Sequence, residues 1–188
     1  ILVKGGEPLE AAKSIDTIVF DKTGTITQGK PVVTDVISFS TLSPNEIIEI
    51  AGSLEKLSEH PLAQSIFQHA QSHNISPKEV DQFEALPGRG VKGKINEKTY
   101  FIGNRRLIAD QQLLIPQEVE DRILQMENQG KTVMILADES SILGAVAVAD
   151  IAKETSKKAL EKLRKRGLDL VMITGDNFNT ARAIAQEV

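Results

Sequence analysis

The sequence contains no cysteine and no tryptophan, and aromatic side chains make up only 4% of it. Without cysteine there is no disulfide framework, no thiolate metal site and no cysteine nucleophile. Long apolar runs are also missing. The longest, residues 142–149, is far short of the roughly 20 residues that span a bilayer. Nor is there a basic excess: 22 Lys and Arg face 26 Asp and Glu, for a net charge of −4. That balance argues against a general nucleic-acid or membrane-surface binder, whose affinity rests on clustered cations. What is present is an ordinary globular mixture, 40% hydrophobic and 26% charged over 188 residues. A chain of this length buries roughly 70% of its unfolded surface, enough for one sizeable core or two small ones. The sequence opens at Ile1 without an initiator Met and stops at Val188 inside a helical pattern. The expectation is a piece of something longer.

Residues 15–20 form a short β-branched run, read as a buried strand that ends in a polar, Thr-rich loop at Asp21. Val32–Phe39 has strand composition. Ser43, Pro44 and Glu46 then spell a helix start with a capping box, followed by an apolar stripe of Ile47, Ile50, Ala51 and Leu54. A second helix is expected from Pro61, with Leu62, Ile66, Phe67 and Ala70 on one face. Between Phe83 and Gly103 the period becomes that of strands: Val91, Gly93 and Ile95 alternate with Lys92 and Lys94. A helix over 116–129, stopped by Gly130, precedes a hairpin of 132–137 and 142–149. The last stretch reads helix (153–166), apolar strand (168–173), polar turn, helix. Continuous apolar strands alternating with helices are the doubly wound parallel pattern. The expected architecture is therefore a parallel α/β domain, residues 1–28 and 150–188, interrupted by an inserted α+β antiparallel-sheet domain over 29–149.

In such a sheet, ligands bind beyond the carboxyl ends of the strands. Asp21 is the first residue past one strand. Thr23, Gly24 and Thr25 can offer backbone N–H groups and hydroxyls to phosphoryl oxygens. An Asp carboxylate can itself be the nucleophile, forming an aspartyl-phosphate. Alone, an Asp after a strand more often caps a turn. The other parallel strand, however, ends in Thr174-Gly175-Asp176-Asn177, and two strand-end loops with convergent phosphate-binding groups make a site.

Asp21-Lys22-Thr23-Gly24-Thr25 resembles the phosphorylation signature of the P-type ATPases, and Thr174-Gly175-Asp176-Asn177 their second phosphate-binding motif. The resemblance implies a phosphorylation domain of haloacid dehalogenase-like fold. The inserted block narrows it to the heavy-metal-transporting branch. Ser58-Glu59-His60-Pro61 looks like that branch's nucleotide-domain motif, Glu55 matches its acidic nucleotide-site position, and Gly88-Arg89-Gly90 and Gly103-Asn104 are similar to its glycine loop and Gly-Asn pair. By this resemblance Glu55, His60, Gly88, Gly90 and Asn104 line an ATP pocket, with Glu55 and His60 at the adenine end. The inserted domain would swing so that ATP's γ-phosphate meets Asp21, the phosphorylated nucleophile. Lys22, Thr23, Thr174, Gly175 and Asp176 would complete the catalytic group. Asp21 and the backbone carbonyl of Thr23 would ligate Mg²⁺, a cation suited to hard oxygens. Many related phosphatases carry an acid/base Asp two residues after the nucleophile; Thr23 stands there, so the phosphoenzyme is expected to persist.

The resemblance further implies a second half of the phosphorylation domain beyond Val188, and transmembrane and actuator domains as partners. The transported metal would bind in those segments, not in this chain. The segments 4–9 and 15–20 look most like the copper-transporting subgroup, with zinc, cadmium and silver left open. Two other readings stay open: a haloacid dehalogenase-type phosphatase with a cap domain, and a non-catalytic nucleotide-binding module. His69 and His73 could ligate a metal but read first as a solvated helix end, and residues 153–166 as a solvated basic helix face. The expected whole is a cytoplasmic portion of a membrane-bound pump, with little turnover as an isolated piece.

Overall fold

The computed structural model describes residues 5–6, 10, 12–175 and 178–188. Two compact units emerge, one from the segment ending at Gly29 together with Ile151–Val188, the other from Lys30–Asp150.

In the first unit, β1 (Thr17–Asp21) pairs in parallel with β8 (Asp169–Ile173), in a register that sets Thr17 beside Asp169 and Asp21 beside Ile173. Helices α5 (Glu154–Arg164) and α6 (Phe178–Glu187) flank β8 in the chain. The apolar composition of both strands predicts burial on both faces, and the structure departs from this. Phe20, Leu170 and Met172 share a small cavity with Leu160 of α5 and Ala185 of α6. Val19, Val171 and Ile173 stay 45–60% exposed. Side chains alternate across a strand, so helices drawn to one face leave every second residue open.

The second unit is built on a six-stranded sheet of order β2-β7-β6-β5-β4-β3. Its strands are β2 (Thr27–Ser38), β3 (Asp81–Leu86), β4 (Gly90–Ile95), β5 (Lys98–Gly103), β6 (Thr132–Asp138) and β7 (Ile142–Ala152). From β3 to β7 every neighbouring pair is antiparallel. Helix α1 (Pro44–Glu55) starts as its sequence predicts: Ser43 Oγ accepts from the Glu46 N–H at 3.3 Å, and Glu46 Oε2 accepts from the Ser43 N–H at 2.7 Å. α2 (Pro61–Ser72) packs beside it, with Gly52 against the Ala70 methyl.

Alternation along β6 and β7 explains why the sheet carries helices on both sides. Leu136, Val146 and Val148 join Ile47, Leu54 and Ile66 of α1 and α2 in one core, and Leu143 joins them at an irregularity in the β6–β7 pairing. Val133, Ile135, Ala145 and Ala147 face the other way, onto Ile108 of α3 (Arg105–Asp110) and Val119, Ile123 and Met126 of α4 (Gln117–Asn128). Antiparallel sheets commonly leave one face to water; here both are covered, hence the unbroken apolar run at 142–149.

The β6–β7 turn is held by Asp138, which is nearly buried. Its Oδ1 accepts from the N–H groups of Ser140 and Ser141, both at 2.9 Å, and its Oδ2 lies 2.6 Å from Lys98 Nζ. Burial opposes the charge, but Lys98 and the Ser140 and Ser141 donors outweigh it and hold the carboxyl well below its ordinary range. A depressed folded-state pKa contributes stability above the unfolded value, lost as the pH falls. Asp138→Asn should therefore cost about 1–3 kcal/mol at pH 7, with the deficit shrinking towards pH 3. Urea unfolding of the two proteins at both pH values measures it; a deficit equal at pH 7 and pH 3 contradicts the assignment.

Candidate functional site

The sequence-predicted residues gather in two places, one in each unit. In the first, Asp21 ends β1 and residues 22–26 coil tightly behind it, with Gly24 at a φ of 76°. The Thr27 hydroxyl donates to the Lys22 carbonyl at 3.0 Å. The loop is tied from a distant part of the sequence: Ser156 Oγ and the Lys153 N–H donate to the Ile26 carbonyl at 2.7 and 2.9 Å, and the Lys153 ammonium donates to the Gly24 carbonyl. Lys22 is buried, while Asp21 and Thr23 are exposed. The Asp21 carboxylate makes no capping hydrogen bond to the loop that follows, unlike a turn-capping Asp. Because Ile173 is its parallel partner, Thr174 and Gly175 leave the sheet at the same carboxyl edge. Asp176 lies outside the described residues.

The second gathering is a cavity of about 360 Å³ whose lining includes Glu55, His60, Gly88, Gly90 and Asn104. Glu55 is the last residue of α1. His60 caps α2, its Nδ1 accepting from the Leu62 N–H at 3.2 Å, which leaves Nε2 as the ring's other polar atom. A helix-boundary role and a cavity-lining role coincide in this one residue.

Gly88–Gly90 turn from β3 into β4, and here backbone meets backbone. A Cβ on Gly90, whose φ is 149°, would stand 2.1 Å from the Ile102 carbonyl oxygen, and one on Gly103 would stand 2.2 Å from that of Arg89. Asn104 locks the arrangement. Its backbone N–H donates to Arg89 O and its Nδ2 to Gly88 O, both at 2.8 Å, while its Oδ1 accepts from the N–H groups of Arg106 and Leu107 at 3.0 and 3.2 Å. These bonds engage both ends of the Asn104 amide, so it shapes the wall and caps α3.

Leu62, Ala63, Val91, Val133 and Met134 make much of the remaining lining apolar. The alternation of β4 marks Val91 as inward-facing, but which core residues border a cavity depends on distant strands meeting, and nothing local announces it. Within this lining sits Glu55, 2% exposed, with its Oε1 the one buried side-chain polar atom among the described residues that has no hydrogen-bond partner. Burial pushes the carboxyl up to about 7, the Ser58 hydroxyl acting in the opposite direction. A carboxyl with an unpartnered oxygen in the lining of an apolar cavity is what a binding site keeps for a ligand.

His69 and His73 do not join either site. Their rings stack 4.2 Å apart at the exposed end of α2, and His73 Nδ1 lies 2.9 Å from the His69 carbonyl. No group of three or more His, Asp or Glu side chains is placed to hold a metal ion among the described residues.

The raised Glu55 value has a definite sign. Between the ordinary 4.5 and about 7 the unfolded chain ionises this carboxyl while the folded one keeps its proton, so stability falls as the pH rises through that window. The full penalty, about 3 kcal/mol, is in place above pH 7 and absent below pH 4.5. Glu55→Gln should recover most of it at pH 8 and little at pH 4, read as the shift in free energy of urea unfolding. Equal effects at both pH values would contradict the burial account.

Comparison with known proteins gives a consistent result. The family model for haloacid dehalogenase-like hydrolases matches residues 15–188. The "Probable copper-importing P-type ATPase A" of Enterococcus hirae is 46% identical over all 188 residues, which make up 25% of its length. A copper-exporting P-type ATPase of Staphylococcus aureus is 43% identical, again over the whole chain and 23% of its own length. The crystal structure of a zinc-transporting PIB-type ATPase in the E2.Pi state superposes with a TM-score of 0.89 at 32% identity, covering 99% of this chain and 30% of that one. The chain thus spans about a quarter of the curated relatives it matches. No helix is long and apolar enough to cross a membrane among the described residues. The likeness to heavy-metal P-type ATPases carried by the motifs at Asp21, His60 and Thr174 extends over the full chain, which belongs to the haloacid dehalogenase-like hydrolase family.

Proposed function

We propose that this chain is the cytoplasmic ATP-binding and phosphorylation portion of an ATP-driven heavy-metal pump in a membrane. Lys30–Asp150 is the nucleotide-binding domain and the other unit part of the phosphorylation domain. The observation that carries the reading is the cavity that gathers Glu55, His60, Gly88, Gly90 and Asn104, residues spread over 50 positions of sequence. Its apolar lining suits the faces of an adenine ring, and the Glu55 carboxyl and His60 Nε2 are polar groups that can meet the ring's edge. Gly88, with open space where a Cβ would stand, lets the ligand approach backbone, and Gly90 makes room for β5 to hold that turn in place.

At the other site, the exposed, uncapped Asp21 carboxylate is the nucleophile. It attacks the γ-phosphorus in line, forming an acyl-phosphate and releasing ADP. Backbone N–H groups of the 22–26 loop and the Thr174 hydroxyl hold the phosphoryl oxygens. Lys22, buried in the same loop, belongs to this catalytic group. Gly175 gives the second loop close approach, and Asp176 belongs to the same motif. For Mg²⁺ the chain offers the Asp21 carboxylate and the Thr23 carbonyl. Two hard oxygens fit an ion that keeps waters and substrate phosphate in its shell. When bound, it neutralises charge developing on the transferred group. Thr23, standing where a related phosphatase would carry an acid/base Asp, favours a persistent phosphoenzyme over phosphatase chemistry.

Copper is the favoured ion, since the copper relatives reach 46% and 43% identity against 32% for the zinc pump. Its ligands, the transmembrane helices and the actuator domain belong to other parts of the parent protein.

Two measurements test this. Calorimetry with the 188-residue chain should show ATP binding that His60→Ala weakens about tenfold, a loss of about 1.4 kcal/mol. In the full-length protein, [γ-³²P]ATP should label Asp21 with a hydroxylamine-labile phosphate that Asp21→Asn abolishes while ATP binding persists. Unlabelled full-length protein would reduce the chain to a nucleotide-binding module, and sustained hydrolysis by the 188-residue chain would contradict the account.

A further inference from the structure

Glu55 raises a question that a nucleotide pocket alone does not answer: in which protonation state it meets its ligand. Its carboxyl is 2% exposed at the end of α1, and no cation pairs with it among the ion pairs of the described residues. The groups sharing its cavity are few. Ser58 follows α1, His60 begins α2 with Nδ1 committed to Leu62, and Arg89 in the β3–β4 turn is bound to Asp110. From β6 come Thr132, Val133 and Met134, and from β4 Val91, none of which carries charge. Only the Ser58 hydroxyl favours a carboxylate here, no cation does, and a buried charge without a counter-charge is among the most costly features a fold can hold.

The two states of the side chain also differ in what they recognise. A neutral carboxylic acid presents one O–H donor and one carbonyl acceptor; a carboxylate presents acceptors only. Adenine's pairing edge offers an acceptor at N1 beside a donor amino group at N6, which complements the neutral acid and sets the N1 lone pair against a carboxylate. Guanine's pairing edge offers an acceptor at O6 and donors at N1 and N2, so it can meet either state: O6 and N1 pair with the neutral acid, N1 and N2 with the carboxylate. We propose, resting on the nucleotide reading above, that Glu55 reads the adenine ring as the neutral acid, donating to N1 and accepting from the N6 amino group, so that loss of its proton weakens the binding of adenine and not of guanine. Burial favours the same state in the empty pocket, where the carboxyl is pushed up to about 7. Adenine binding by this domain is consequently coupled to proton uptake and weakens as the pH rises above neutrality, while a guanine, which either state can meet, does not lose affinity in step.

Adenosine is the probe, because it has no phosphate to titrate in this range. Calorimetry of the 188-residue chain in buffers of different ionisation enthalpy should show about tenfold weaker adenosine binding at pH 8 than at pH 6, with about one proton taken up at pH 8. The ratio of adenosine to guanosine affinity should fall over the same interval. Glu55→Gln keeps a donor and an acceptor in the same shape, so it should bind adenosine equally at both pH values with no proton uptake. Titration of any other group is common to both proteins and cancels between them. Wild-type binding that is independent of pH, or a pH dependence retained in Glu55→Gln, would overturn the proposal. Absence of adenosine and ATP binding at every pH is a different failure: it removes the nucleotide pocket itself, and this inference with it.

Discussion

The inserted unit depends on one close approach of backbone to backbone. Where β4 begins and β5 ends, Gly90 and Gly103 lie so near each other's strands that a methyl group on either would fall within 2.2 Å of a carbonyl oxygen. That contact lets the Gly88–Gly90 turn fold against Asn104, whose side chain bonds the Gly88 carbonyl and caps α3. One wall of the cavity, one helix start and the end of one strand thus share a single requirement for the absence of side chains. Once the wall is set, the opposite side follows from the ends of α1 and α2, fixed by the core of Ile47, Leu54 and Ile66.

Against this rigid frame stands a residue that works against stability. Local rules that a well-folded chain obeys elsewhere are broken at Glu55, and such breaks cluster where function is under selection. Asp138 is the instructive contrast. It too is nearly buried, yet Lys98 and the Ser140–Ser141 turn satisfy its charge, and its carboxyl is held low. Glu55 lacks those partners and is raised. Two acidic residues of similar burial are driven in opposite directions by their neighbours, one serving the fold and one left open to a ligand.

Much of this was legible in the sequence because it is local. The capping box at Ser43 and Glu46, the alternation of Val91, Gly93 and Ile95, and the parallel strand ends at Asp21 and Ile173 each lie within a few residues and appear where expected. The gathering of Glu55, His60, Gly88, Gly90 and Asn104 was legible only through resemblance, since periodicity alone reads His60 and Asn104 as helix boundaries, which they also are. Contacts across long separations escaped. The Lys153 ammonium reaches Gly24 across 129 positions, and nothing near either residue signals it. The open faces of β1 and β8 escaped for a related reason. Apolar composition records what a strand can bury, whereas burial depends on what covers it, and Val19 and Ile173 remain exposed here.

The central claim is that the cavity of the inserted unit is an adenine-nucleotide site with Glu55 and His60 at its polar end. Backbone amide NMR of the chain titrated with a non-hydrolysable ATP analogue addresses it residue by residue. The account predicts saturable shifts concentrated at Glu55, Ser58, His60, Leu62, Gly88, Gly90 and Asn104, sparing the amides of β3 distant from the turn. Shifts scattered over the surface, or absent from these positions while present elsewhere, would contradict it.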